Sequence, residues 1–360
     1  MFHSTKTNGW VRHAGGVSAL IRARGPALAV ASTFDRLMFM AYRHALVIHA
    51  FEANTECFLT EPAWADTVKQ IEEEIADGTA FNALAAAMME EMAKFPGAIA
   101  KARDLPSVAE QAMFPAAAKL RDELKLRIIK HRETYKRLYA QITIDLKSRN
   151  QNPRTKAAAD PNEILFPNQF EFDNMSVASI HSGYWTCLTM LNVTLIEILR
   201  AEVLAKTTAQ KTSTTNHADP DMTDFSGSKA YPSPPRPLSQ NQMERQLDEK
   251  QLETDEQCVL DPSTLRLENI QNATNSCKAV DYMSTSQFQG PFLITFALRV
   301  SLLAFPGERE RAWVRDQLRK LGRKFGMAGD IEDEDALRRV YEDILSQKQL
   351  AGSETPLSDI

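Results

Sequence analysis

Gly15 and Gly16 stand side by side in "GWVRHAGGVSALIRARGP", with Trp10, Arg12, Arg22 and Arg24 around them. Two chemistries use text of this kind. One is a glycine-rich loop that cradles phosphate with backbone N–H groups; the other is a basic, aromatic surface for nucleic acid. The first fails on spacing, because a phosphate loop or dinucleotide fingerprint needs further glycines at fixed intervals, a strand before them and a helix after. No strand precedes Gly15, and no Gly-Lys-Ser/Thr follows. The expected role is close backbone contact between packed helices, or a local bend.

The remaining reactive side chains do not gather either. The seven histidines, His3, His13, His44, His49, His131, His181 and His217, form no HExxH or His-Cys cluster. His44 and His49 are five apart on a helix and share no face well. The four cysteines, Cys57, Cys187, Cys258 and Cys277, are widely separated. That argues against a disulfide framework or a thiolate zinc site, and for a reducing compartment. There is no GxSxG elbow, and Cys187 sits in an apolar helix, where a thiol usually packs. The acidic runs Glu72–Glu74 and Glu332–Asp335 read as solvated helix surface, the second also favouring a helix N-terminus. We therefore expect no catalytic, cofactor-binding or metal-ligating residue, and no enzyme. One run has a nucleic-acid flavour: Arg309, Arg311, Arg315, Arg319, Lys320, Arg323 and Lys324, on a helix that turns Trp313, Val314, Leu318 and Leu321 inward. In an acidic chain it reads as a solvated basic face.

The elements that carry these residues read as helices. Trp10, Val17, Leu20 and Ile21 share one face of an opening helix that Gly25-Pro26 stops. Phe34, Leu37, Met38, Ala41, Ala45, Ile48 and Phe51 run along a second, residues 33–53, before a break at Pro62. Helical text continues over residues 66–94, breaks at "FPGAIAKARDLPS", and resumes over residues 108–147 with an interruption at Pro115. A proline-punctuated connector leads to an apolar helix at residues 176–205. Further helices follow from Pro262 to Gly326, and "DEDALRRVYEDILSQKQ" is one more. No run alternates with period two, so no sheet is expected. The fold class is all-α. Residues 206–260, polar and proline-bearing, cannot bury enough surface to offset their ordering entropy and read as a disordered or loosely attached insertion. The divisions are thus 1–205 and 261–350 for two parts of one helical domain, 206–260 for the insertion, and 351–360 for a flexible tail.

Composition narrows the function. The 360 residues are 43% hydrophobic and 25% charged, ordinary for a globular protein. A formal net charge of −5 gives no general attraction to nucleic acid or an anionic membrane. No signal peptide opens the chain, and the two most apolar windows are shorter than the roughly 20 residues a bilayer span needs. A soluble intracellular protein is expected.

Trp10, His13, Gly15, Gly16, Leu20, Ile21, Arg24, Gly25 and Pro26, then Phe58, Leu59, Pro62 and Trp64, resemble the central regulatory domain of fungal binuclear zinc-cluster transcription factors. The stretch from Ser276 to Gly326 is similar to that family's C-terminal section, with a Cys-containing helix, an apolar helix and a basic helix bearing Trp. The resemblance implies a nuclear or nucleocytoplasmic regulator of metabolic or secondary-metabolite genes. The family's six-cysteine DNA-binding module is absent from this sequence, as are the helices that usually precede the Trp motif. The chain is then either a relative without the cluster or the product of a shortened reading frame. Both alternatives leave Trp10, Val17 and Leu20 as exposed apolar surface and predict a protein partner, a zinc-cluster regulator or a second copy, with no autonomous specific DNA binding and no membrane. The alternative function is a non-catalytic helical accessory or scaffold protein of a biosynthetic pathway.

Overall fold

The computed structural model describes residues 9–75, 79–105, 115–215, 260–286 and 289–325. Helices dominate it, and local chemistry explains where they begin and end. Helix α1 (Gly9–Arg24) stops at Gly25, whose φ of 78° is left-handed, and Pro26 opens the short α2 (Pro26–Ala29). Ser32 caps α3 (Thr33–Ala53) by accepting the Asp35 N–H at 3.1 Å, and Asn54 ends it in a left-handed conformation. After a single 3₁₀ turn (Phe58–Thr60), Pro62 starts α4 (Pro62–Ile75). Helix α5 (Ala80–Arg103) follows, capped by Thr79, and then α6 (Pro115–Ser148). The Asn174 side chain accepts the Val177 N–H as α7 (Met175–Thr215) begins. Asp261 caps α8 (Pro262–Lys278), and α9 (Val280–Thr285), α10 (Gln289–Ala304) and α11 (Glu308–Phe325) complete the order.

The all-α class holds, with several local differences from the sequence reading. The single helix expected over residues 66–94 is two, α4 and α5, because Thr79 accepts the Asn82 N–H at 3.4 Å and starts a new helix. The break expected at Pro96 does not occur: Pro96 and Gly97 lie inside α5 and are buried. Proline in a helix interior costs about 3 kcal/mol, and the burial of Phe95, Ala98 and Ile99 beside it offsets that penalty. Pro115 does not interrupt a helix but opens one, since its missing N–H is free of consequence at the first position. Residues 106–114 lie outside the described residues.

The connector expected to be irregular contains an antiparallel pair, β1 (Arg154–Ala157) and β2 (Asn168–Glu171), in register Arg154 to Glu171 and Ala157 to Asn168. Four-residue strands are too short for alternation to announce them. Helix α7 also runs ten residues beyond the expected boundary at residue 205, to Thr215. Extending an existing helix adds one hydrogen bond per residue fixed, and no proline or glycine interrupts Lys206 to Thr215. The rest of the expected insertion, residues 216–259, lies outside the described residues, as do the expected last helix and tail from residue 326 on.

Helix α7 is the centre of the packing. It contacts α5, α6, α8 and α10, and its buried residues include Val177, Ala178, Trp185, Leu188, Leu191, Leu195 and Ile198. A helix apolar on several sides at once belongs inside such an assembly. Helix α3 packs on α5, α1 packs on α3, and α11 closes on α10 with Val314, Leu318 and Leu321 buried. The inward set expected for the basic helix is therefore found, with Trp313 half-buried against Phe166 and its Nε1–H donated to Glu163. Among the described residues no helix is long and apolar enough to cross a membrane.

Candidate functional site

The Gly15-Gly16 pair resolves into two different residues. A Cβ on Gly15 would stand 2.9 Å from His49 Nε2 on α3, whereas one on Gly16 would meet nothing within 4 Å. Gly15 lets α1 approach α3; Gly16 does not serve packing, contrary to the expectation for both. Trp10 and His13 lie in the first turns of α1, where only the backbone is described.

Beside this contact α1, α2 and α3 leave a cleft of about 180 Å³, lined by Val17, Leu20, Ile21, Leu28, Phe34, Met38, Phe39 and Tyr42. Its apolar walls face solvent: Leu20 is 60% exposed, Phe34 69% and Leu37, next along α3, 59%. On α3 the exposed residues Phe34, Leu37, Met38 and Ala41 follow the i, i+3, i+4, i+7 pattern of an amphipathic helix face. Elsewhere α3 buries Phe39, Leu46, Val47, Ile48, Ala50 and Phe51. The helix thus has a core face and, at its N-terminal half, a second apolar face that the described residues leave open. The Arg24–Asp35 ion pair at 2.9 Å marks one rim of the cleft. Sequence reading anticipated Leu20 as exposed but assigned Phe34, Leu37 and Met38 no surface role. Their spacing signalled an apolar face, and nothing in spacing says whether a face is covered.

The densest polar chemistry is interior. Arg132 on α6 donates from Nε to Asn192 on α7 at 2.8 Å and from Nη2 to Glu268 on α8 at 2.7 Å. Asn192 donates to Glu268 at 2.7 Å and to Asn269 at 3.0 Å, and Lys136 reaches Glu268 at 3.1 Å. Burial would raise the Glu268 carboxyl, but Arg132, Asn192 and Lys136 together hold it below its usual value. Tyr139 stacks on Tyr184 at 3.5 Å, and its hydroxyl meets His181 Nδ1 at 2.6 Å. Burial pushes Tyr139 and Tyr184 up and His181 down to about 4. The Arg132–Asn192–Glu268 network joins three helices with matched donors and acceptors, a device that fixes helix register.

The cavity between α3 and α7, bounded by His44, Ser179, Ser182 and Cys187, measures about 20 Å³, room for roughly one water. Burial, with a smaller part from Arg43, pushes His44 down to about 4. The thiols follow the same logic: burial drives Cys57 up to about 11 and Cys187 up to about 12, and Cys277 well above its usual value. Such thiols are poor nucleophiles; Cys258 lies outside the described residues. Among the described residues no three His, Cys, Asp or Glu side chains gather where a metal ion could be held. On α11 Arg315 is answered by Glu308, and both Arg319 and Lys320 by Asp316. Among the described residues the α1–α3 cleft is thus an open, apolar surface feature, whereas the polar groups of the interior are largely paired.

No family model matches the chain, and no solved structure matches it. A protein of Emericella nidulans described only as uncharacterized is similar to it, 34% identical over 103 residues. The match covers 27% of this chain and 21% of that relative, so it spans about a fifth of the relative's length. It attaches no activity to any residue.

Proposed function

We propose that this chain is a transcription-factor-like regulatory protein that acts through protein contacts made at the α1–α3 cleft. The observation that carries the reading is the exposed stripe of Phe34, Leu37, Met38 and Ala41, with Leu20 beside it. Monomers rarely leave contiguous apolar patches of more than a few hundred Å² uncovered, and those that persist mark interaction sites. The resemblance of Trp10 to Pro26 and Phe58 to Trp64 to the regulatory domain of zinc-cluster transcription factors supplies the class of process. A zinc-cluster regulator of that kind, or a second copy of this chain, is the proposed partner. Nuclear residence and control of metabolic or secondary-metabolite genes belong to the same proposal, as does the absence of an enzymatic activity.

A tethering assay tests it. The full chain fused to a heterologous DNA-binding domain should change transcription of a reporter in a fungal host. Leu20→Asp and Phe34→Asp, both at exposed positions, should remove at least four-fifths of that change with the circular-dichroism spectrum intact. A reporter that never responds sinks the regulatory reading and returns the scaffold alternative. A response that both variants retain removes the cleft from it.

A further inference from the structure

We infer that the α1–α3 cleft is the docking site for a segment of the chain's own C-terminal region, the amphipathic stretch from Leu337 to Leu345. Those residues lie outside the described ones. Leu337, Val340, Tyr341 and Ile344 repeat at i, i+3, i+4 and i+7, while Arg338, Arg339, Glu342 and Asp343 fill the other positions. Asp330 and Glu332 to Asp335 precede them, acids placed where a helix N-terminus favours them. The open stripe on α3, Phe34, Leu37, Met38 and Ala41, has the same spacing. A helical stripe of that spacing is about 10 Å long on either side, so the two faces match in length as well as in character. Recognition of this kind is a helix laid into a groove, read as apolar anchors on successive turns.

The exit point makes the contact intramolecular. Helix α11 ends at Phe325, and its Lys324 Nζ donates to the Ser284 carbonyl at 3.1 Å. A few residues on, Gln289 Nε2 donates to the carbonyl of Ala41, the last residue of the open stripe, at 3.3 Å. The chain beyond α11 thus departs from a region that touches α3 at Ala41, the neighbour of the cleft-lining Tyr42. The eleven residues from Gly326 to Ala336 can extend roughly 36 Å, several times the roughly 10 Å of α3 that separates Ala41 from Phe34. A tether of this length sets an effective concentration on the order of millimolar, far above that of a second copy at ordinary protein concentrations. The docked segment competes with any external partner of the cleft. This inference shares the cleft with the proposed function but does not depend on a role in transcription.

The test uses the full chain and a labelled synthetic peptide of residues 335–346. Ile344→Asp, in the segment, should free the cleft and raise affinity for the added peptide at least tenfold over the natural sequence. Adding Leu37→Asp to that variant should abolish peptide binding; Phe34→Asp repeats the test should Leu37→Asp fail to fold. In hydrogen exchange, protection of residues 337–345 should be present in the natural chain and lost in both Ile344→Asp and Leu37→Asp. Equal peptide affinity with and without Ile344→Asp overturns the inference, and so does an absence of binding to either. Protection that rises with protein concentration also overturns it, since a second copy would then supply the segment. A silent reporter with these results intact would remove the transcriptional reading and leave the docking; the converse would leave the cleft to an external partner.

Discussion

His181 shows how one buried side chain sets a property of the whole fold. Its Nδ1 meets the Tyr139 hydroxyl, its Nε2 is buried without a hydrogen-bond partner, and Trp185 and Phe172 lie against the ring. Burial therefore holds it neutral, with a value pushed down to about 4, and His44 is displaced the same way. Between the unfolded value near 6.5 and the folded value near 4, the unfolded chain binds the proton that the native chain refuses, so stability falls as pH drops through that window. Urea unfolding at pH 7 and pH 5 should differ by roughly 2 kcal/mol from His181 alone, with His44 adding in the same direction. His181→Gln should flatten the profile between those two values; an unchanged profile would show that the ring is solvated. The sequence offered His181 as one of several unclustered histidines and said nothing of this, because desolvation is a property of neighbours that are distant along the chain.

At the scale of elements, α1 and α3 make the most direct claim. Their contact depends on Gly15, where a Cβ would press on His49 Nε2, and does not depend on Gly16, which faces open space. Both glycines cost the helix up to about 1 kcal/mol relative to alanine. Gly16→Ala should therefore stabilise the protein by up to that amount in urea unfolding. Gly15→Ala should gain nothing or lose about 1 kcal/mol, because His49 must move to admit the methyl group. Equal stabilisation by both would mean that the helices do not approach as closely as described. Element boundaries were legible where a capping residue or a proline coincides with the start of a helix, as at Ser32, Pro62 and Asp261. They misled where tertiary burial overrode local propensity, as at Pro96 within α5, and where a polar sequence continued an established helix, as at Lys206 to Thr215 of α7.

For the whole molecule, net charge and the arrangement of the basic helix decide the encounter with DNA. The chain carries −5 overall, and Arg315, Arg319 and Lys320 of α11 sit beside Glu308 and Asp316 on the same helix. Specific recognition needs base-reading side chains held in a groove, in addition to phosphate contacts that weaken steeply with salt. In a mobility-shift assay at physiological salt, the purified chain should give no complex that survives competitor DNA. A sequence-specific band would contradict this and would direct attention to Arg309 and Arg323 at the ends of α11.

The amino-acid sequence by itself determined the all-α class, because apolar residues at helical spacing recur through nearly every described segment and β-rich alternation does not. It also determined that α11 buries Val314, Leu318 and Leu321, since one strongly polar helix leaves a single face for the core. That Cys187 is buried was likewise available from its apolar context. Only the tertiary structure decided which apolar faces are covered. Phe34 and Phe39 look alike in a list of aromatic residues on one helix, yet Phe39 packs on Trp64 inside the core and Phe34 stands in solvent. Only the fold brings Arg132, Asn192 and Glu268 together, across separations of 60 and 136 residues from Arg132. Periodicity is a local property and records that a helix has an apolar side. Burial is a property of everything else in the chain that reaches the same place.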